Sequence, residues 1–201
     1  RGDLFRRDTA SVRVVADEIH APLTYSGGPV FTPYLTVAGG EHGFSVFSPS
    51  KGWNLAGLKS ALVMAGSASL ADLRRLHEVH THGSSHLGAI AHVAAMDDGR
   101  DWLAQLTTEL DANRALLGRL LSEHLPGVRW RSPDATYLAW LDCRELGLGD
   151  DPATTFRDRG RVALGSGPGY GRESGRGFVR LNLATSPNTV EDAVLRMLSA
   201  L

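Results

Sequence analysis

Cysteine is almost missing: Cys143 is the single one in 201 residues. No disulfide can close within the chain, and folding does not depend on an oxidising compartment. An excess of either charge is missing too, with Lys+Arg 21 against Asp+Glu 22 and a net charge of −1. Nucleic acid and anionic membranes both select a basic excess, so neither is expected as a partner. No apolar run approaches the roughly 20 residues that span a bilayer. The opening RGDLFRRD lacks the apolar stretch of a signal peptide. It also lacks Met, so residue 1 is not expected to be the start of the natural product. What remains is an ordinary globular mix, 42% hydrophobic and 21% charged, which excludes disorder and collagen-like structure. A soluble, cytoplasmic protein is expected.

Periodicity then organises the chain. VRVVADE from Val12 is a β-branched run closed by two acids, and it predicts a parallel strand buried on both faces. Residues 21–34 predict loop, since Gly27-Gly28, Pro29 and Pro33 interrupt regular structure. GFSVF (43–47) and ALVMAG (61–66) predict two further strands. After Ser69 the period becomes helical. SLADLRRLHEVH predicts a helix capped by Ser69, and GAIAHVAAM (88–96) continues helically. Leu103, Leu106, Leu110, Leu117 and Leu121 then form one stripe of a long helix that Pro126-Gly127 stops. Beyond it, 136–143 and 178–184 predict strands, 151–160 and 188–200 predict helices, and a Gly-rich loop fills 165–177. Mixed α/β architecture follows.

Lys51 follows an apolar strand and sits in a Ser/Pro/Gly turn. Desolvation at the end of a buried strand lowers an ammonium pKa, as Schiff-base chemistry requires, although a loop lysine that simply reaches water fits the same pattern. Asp17 ends the first strand, at the edge where open α/β sheets bind ligands; a turn or cap acid is the alternative. A strand-end Asp and a later strand-end Lys together suit pyridoxal phosphate, with an imine on the Lys and the Asp paired to the ring nitrogen. In FVRLNLA, Val179, Leu181 and Leu183 share one face while Arg180 and Asn182 alternate to the other. His77, His80, His82, His86 and His92 lack the Cys or carboxylate partners of a metal site and read as histidines on a polar helix face. GSGPGYGRESGRG leads into a strand, so it is not a nucleotide-binding fingerprint, and the opening Arg1-Gly2-Asp3 carries no adhesion signal.

VVADEIHAPLTY, FSPSKGWNLAGLKSALVMAG and GFVRLNLATS, in that order, resemble fold-type I pyridoxal-phosphate enzymes of the class I/II aminotransferase superfamily. Within it they are most similar to the MalY/PatB group of cystathionine and cysteine-S-conjugate β-lyases. The resemblance implies pyridoxal 5'-phosphate as cofactor and Lys51 as its Schiff-base lysine and Cα proton shuttle. It implies Asp17 on the pyridine N–H, and His20 beside the phenolic oxygen, where many aminotransferases carry Tyr. Ser48, with Ser50 as second candidate, and Lys59, where many relatives carry Arg, are implied for the cofactor phosphate. Arg180 is implied for the substrate α-carboxylate.

Members of that family are about twice this length, so the resemblance implies a C-terminal half. Residues 1–96 would be the remainder of the cofactor-binding large domain, 97–125 an interdomain helix, and 126–201 a small α+β C-terminal domain. RGDLFRRDTAS is too short for the helix expected before the Asp strand. The implied activity is C–S β-lysis of an amino acid such as cystathionine, in a homodimer. An aminotransferase using the same residues, and a non-catalytic half that binds a partner, are the alternatives.

Overall fold

Three short apolar runs make the first sheet. In a computed structural model describing residues 12–201, Val15–Asp17 (β1), Phe44–Phe47 (β2) and Leu62–Ala65 (β3) pair in the order β1-β2-β3. The expectations attached to Arg1-Gly2-Asp3 and to the segment before Val12 lie outside the described residues. β1 and β2 run parallel, with Val15 opposite Phe44 and Asp17 opposite Val46; β2 and β3 are antiparallel. A parallel pair needs a long crossover. Residues 18–43 supply it through tight 3-10 turns at Ala21–Leu23, Tyr34–Thr36 and Gly40–His42. Past β3 the Gly66 N–H donates to the Gly43 carbonyl at 2.9 Å, and a Cβ on Gly66 would collide with the Gly40 carbonyl oxygen.

Two expectations change here. β1 is not buried on both faces: Val15 is 61% exposed, and Leu62, Val63 and Met64 on β3 are exposed as well. Covering both faces takes a helical layer on each side, and the segments that link these three strands hold 3-10 turns and no α-helix. The helix expected over 69–80 shrinks to Leu70–Leu73 (α1) and a 3-10 turn at Glu78–His80. The Ser69 side chain caps nothing and instead receives a hydrogen bond from Arg13 at 2.9 Å. His77 Nδ1 receives the Val79 N–H at 3.2 Å and starts a separate turn. Leu70 and Leu76 stay exposed, so no packed face sustains a helix too short to persist alone.

His86–Asp98 (α2) is properly capped, Ser85 Oγ receiving the Gly88 N–H at 3.0 Å. Gly88 lets α2 touch the loop after β2, since a Cβ there would strike the Leu58 carbonyl. Arg100–His124 (α3) is the predicted long helix; Leu110, Leu117 and Leu121 of its stripe are buried. The chain divides into two compact units, one ending at Gln105 and the other spanning Leu106–Leu201.

In the second unit, Arg129–Trp130 (β4), Leu138–Asp142 (β5), Gly165–Ser166 (β6) and Phe178–Asn182 (β7) form an antiparallel sheet ordered β4-β5-β7-β6. Pro152–Asp158 (α4) and Pro187–Ser199 (α5) complete it, α5 capped by Ser186 Oγ. Alternation along β7 is as predicted: Val179, Leu181 and Leu183 are buried. They join Leu117, Leu121, Leu141, Phe156, Val190, Val194 and Met197 in one core, each such side chain stabilising the fold by roughly 1.5–3 kcal/mol. Among the described residues no helix is long and apolar enough to cross a membrane.

Phe156 is fully buried in that core, so Phe156→Ala is expected to destabilise the chain by about 3–5 kcal/mol in denaturant titrations. Cys143 is buried too, and burial, aided by the Asp142 charge, pushes its thiol up to about 12. The folded chain at mildly alkaline pH is therefore expected to resist iodoacetamide, while the unfolded chain reacts. Equal labelling rates would contradict this placement.

Candidate active site

Asp17 leaves the sheet at the C-terminal end of β1, and Lys51 lies in the turn just past the C-terminal end of β2. Because the two strands are parallel neighbours, both residues emerge at the same edge. The ladder continues through the Glu18 N–H, which donates to the Val46 carbonyl at 3.0 Å. The loops that follow also meet: Gly52 is buried, and a Cβ on it would stand 3.2 Å from Pro22 Cβ. Asp17 is exposed, its Oδ1 receiving the Ile19 N–H at 3.1 Å. It therefore serves as a turn acid whatever else it does. Lys51 is half-buried. His20, half-buried, ends this stretch, its carbonyl receiving the Leu23 N–H at 3.0 Å.

The turn after β2 is held by hydroxyls. Buried Ser48 donates from Oγ to the Ser60 carbonyl at 2.6 Å and receives the Ser50 N–H at 3.2 Å. Ser48 Oγ also lies 2.6 Å from Ser50 Oγ. A hydroxyl has one hydrogen, so with Ser48 committed to Ser60, Ser50 is the donor of that pair. Asn54 and Lys59 adopt left-handed backbone (φ 55° and 57°), which Asn tolerates better than most residues. Lys59 is exposed. The structure thus gathers Asp17, His20, Ser48, Ser50 and Lys51 on one pair of loops, with Lys59 at the loop's far end.

Arg180 belongs to the other unit. Its guanidinium lies 4.3 Å from the centre of the Tyr170 ring, within cation–π range. Trp140 stands opposite Arg180 on β5 and stacks on Phe178. Asn113, buried on α3, donates to the carbonyls of Leu183 and Thr185 at 3.0 and 2.7 Å, anchoring the exit of β7.

Sequence reasoning missed several supports. Glu18 lies within DEIH, and its carboxylate receives the Tyr34 N–H at 2.6 Å and the Ser45 hydroxyl. Trp53 Nε1 donates to the Gly99 carbonyl at 2.9 Å. His92 was expected on a polar helix face, yet it is only 7% exposed. Its Nδ1 lies 3.0 Å from Ser60 Oγ and its ring packs against Phe47. The signal was its spacing: His92 lies four residues after Gly88 and three before Ala95, so all three share a helical face. Among the described residues no three His, Cys, Asp or Glu side chains gather in a way that could hold a metal ion.

The model of the family Aminotransferase class I and II matches residues 4–197. The chain belongs to this family. It is 51% identical to the "Putative cystathionine beta-lyase" of Mycobacterium tuberculosis (strain ATCC 25618 / H37Rv), covering 98% of this chain and 52% of that protein. Identity to the cystathionine beta-lyase PatB of Bacillus subtilis (strain 168) is 34%, covering 94% and 50%. The crystal structure of the pyridoxal-phosphate-bound C-S lyase from Staphylococcus hominis superposes with a TM-score of 0.87 at 26% identity, covering 97% and 50%. The chain spans about half the length of the curated relatives it matches. Its fold is accordingly the α/β fold of this family in part, joined to a small α+β unit.

Burial holds the His92 imidazole below its ordinary pKa of 6.5. The unfolded chain takes up a proton near 6.5 that the folded chain refuses. This contribution to stability is therefore flat above 6.5 and falls as pH drops toward the folded-state value. Denaturant titrations are expected to show the stability difference between the native chain and His92→Asn shrinking on acidification below pH 6.5. A pH-independent difference would count against this burial.

Proposed function

We propose that this chain carries the cofactor-lysine half of a pyridoxal-phosphate-dependent C–S β-lyase acting on cystathionine or a related cysteine thioether. The observation that carries the reading is the emergence of Asp17 and Lys51 at one edge of two parallel neighbouring strands. Relatives named cystathionine beta-lyase support the reaction class.

The donor set fits the cofactor: an amine, a carboxylate and a hydroxyl pair lie on loops of one unit. When bound, pyridoxal phosphate supplies an aldehyde for the lysine and a ring that accepts electrons from the substrate Cα. Lys51 would hold the cofactor through its Nζ, and the same amine would take up the Cα proton of the substrate. Asp17 would hold the pyridine N–H through its carboxylate. Ser50 would turn its hydroxyl hydrogen from Ser48 to the phosphate, while Ser48, bonded to the Ser60 carbonyl, would hold it in place. Lys59 would add positive charge, and His20 would stand by the phenolic oxygen. Arg180 forks the substrate carboxylate, its guanidinium steadied by Tyr170. In the net reaction the Cβ–S bond breaks and the thiol leaves with a proton. Water then converts the remaining three-carbon unit to pyruvate and ammonia.

The cofactor half corresponds to residues 1–96, the linking helix to 97–125 and the small domain to 126–201. A homodimer is the proposed assembly, consistent with the exposed apolar residues Leu87, Ile90 and Val93 on α2. The cytoplasm is the proposed location, suited to one buried thiol.

Pyridoxal phosphate added to the purified chain is expected to change its absorbance, and borohydride to fix the cofactor on Lys51, identified by peptide mapping. Lys51→Ala is expected to abolish both. Cofactor linkage with pyruvate released from cystathionine supports the lyase. Keto-acid-dependent amino transfer in place of pyruvate assigns an aminotransferase, and no linkage to Lys51 overturns the cofactor reading.

A further inference from the structure

Helix α2 reaches the turn after β2 through one buried polar side chain. His92 Nδ1 meets Ser60 Oγ at 3.0 Å, and the Ser60 carbonyl receives the Ser48 hydroxyl at 2.6 Å. Ser48 Oγ in turn meets Ser50 Oγ at 2.6 Å and receives the Ser50 N–H. These contacts form a relay from the helix to the residues flanking Lys51. Among the described residues, none is a hydrogen-bond partner of the buried His92 Nε2. An unpaired buried polar nitrogen costs free energy, and an apolar residue would avoid that cost. A histidine here is therefore explained by what Nδ1 does.

We infer that His92 is a positioning residue for the cofactor's phosphate end. By fixing Ser60 it holds the Ser48–Ser50 hydroxyl pair, and with it the turn that presents Lys51. Two features reinforce the attachment. Gly88 brings the α2 backbone against Leu58 in the same loop, and Trp53 is tied to Gly99 just past the helix. His92 touches no reacting atom, and its effect passes through Ser60. The functional consequence rests on the cofactor reading proposed above; the mechanical part does not.

Replacement can separate the two nitrogens. Asn at position 92 keeps a hydrogen-bonding group near the Nδ1 position, whereas Phe keeps ring volume and removes it. In the ligand-free chain, amide hydrogen exchange over residues 48–60 is expected to speed up about tenfold in His92→Phe and to stay near native in His92→Asn. Ser60→Ala is expected to match His92→Phe, and the double variant to be no worse than either single one, because both changes cut one relay. Pyridoxal phosphate, titrated by absorbance, is expected to bind about tenfold more weakly to His92→Phe and nearly normally to His92→Asn. Unchanged exchange in His92→Phe, or equal losses in the Phe and Asn variants, overturns the inference. If exchange responds as expected but the native chain binds no cofactor, the positioning of the turn stands and the cofactor reading fails.

Discussion

Parallel pairing of β1 with β2 is the constraint on which the rest of the candidate site depends. Neither Asp17 nor Lys51 is special as a side chain; each is an ordinary charged residue beyond an apolar run. Hydrogen bonds from Phe44 N–H to the Val14 carbonyl and from Glu18 N–H to the Val46 carbonyl bracket the ladder at 2.9 and 3.0 Å. That register brings both strand ends to the same edge. A slip by one residue would reverse which side chains face which way along β1. Antiparallel pairing would send Asp17 and Lys51 to opposite ends of the sheet.

Polar groups at the strand ends make this edge specific. The Glu18 carboxylate gathers the Tyr34 N–H and the Ser45 hydroxyl, joining β1, the crossover and β2. Ser48, Ser60 and His92 do the same between β2 and α2. Buried polar groups are costly when their partners are lost, so each cluster disfavours arrangements of its loop that break these bonds. The second unit uses a different device. Its sheet buries one face in an apolar core and keeps Arg180 on the other, against the Tyr170 ring and opposite Trp140.

Much of the fold was legible because periodicity is local. The seven-residue alternation of FVRLNLA, the leucine stripe of α3 and the Pro-initiated helices α4 and α5 all appear where their spacing predicts. The candidate residues at the strand ends were equally legible, since an apolar run closed by a polar residue marks a strand exit. Strand β1 and the helix after Ser69 were misjudged for a shared reason. Apolar content gives a capacity for burial, but burial needs a second layer, and Val15, Leu70 and Leu76 are left exposed. His92 was read onto the wrong face because it was grouped with four other histidines, although its spacing from Gly88 and Ala95 marks the buried face. Its partner Ser60 lies on a loop that only the fold brings there.

Apart from the segment after Ser69, sequence by itself determined which of the longer segments extend and which coil, and which charged residues stand at strand ends, because those properties depend on neighbours within a few positions. It also set the family, through motifs spread over most of the chain. Only the tertiary structure decided that β1 and β2 pair in parallel, that Gly52 comes against Pro22, and that His92 reaches Ser60, 32 positions earlier in the chain. Those contacts join residues distant along the chain, and no local preference encodes which partner a strand edge or a buried nitrogen will find.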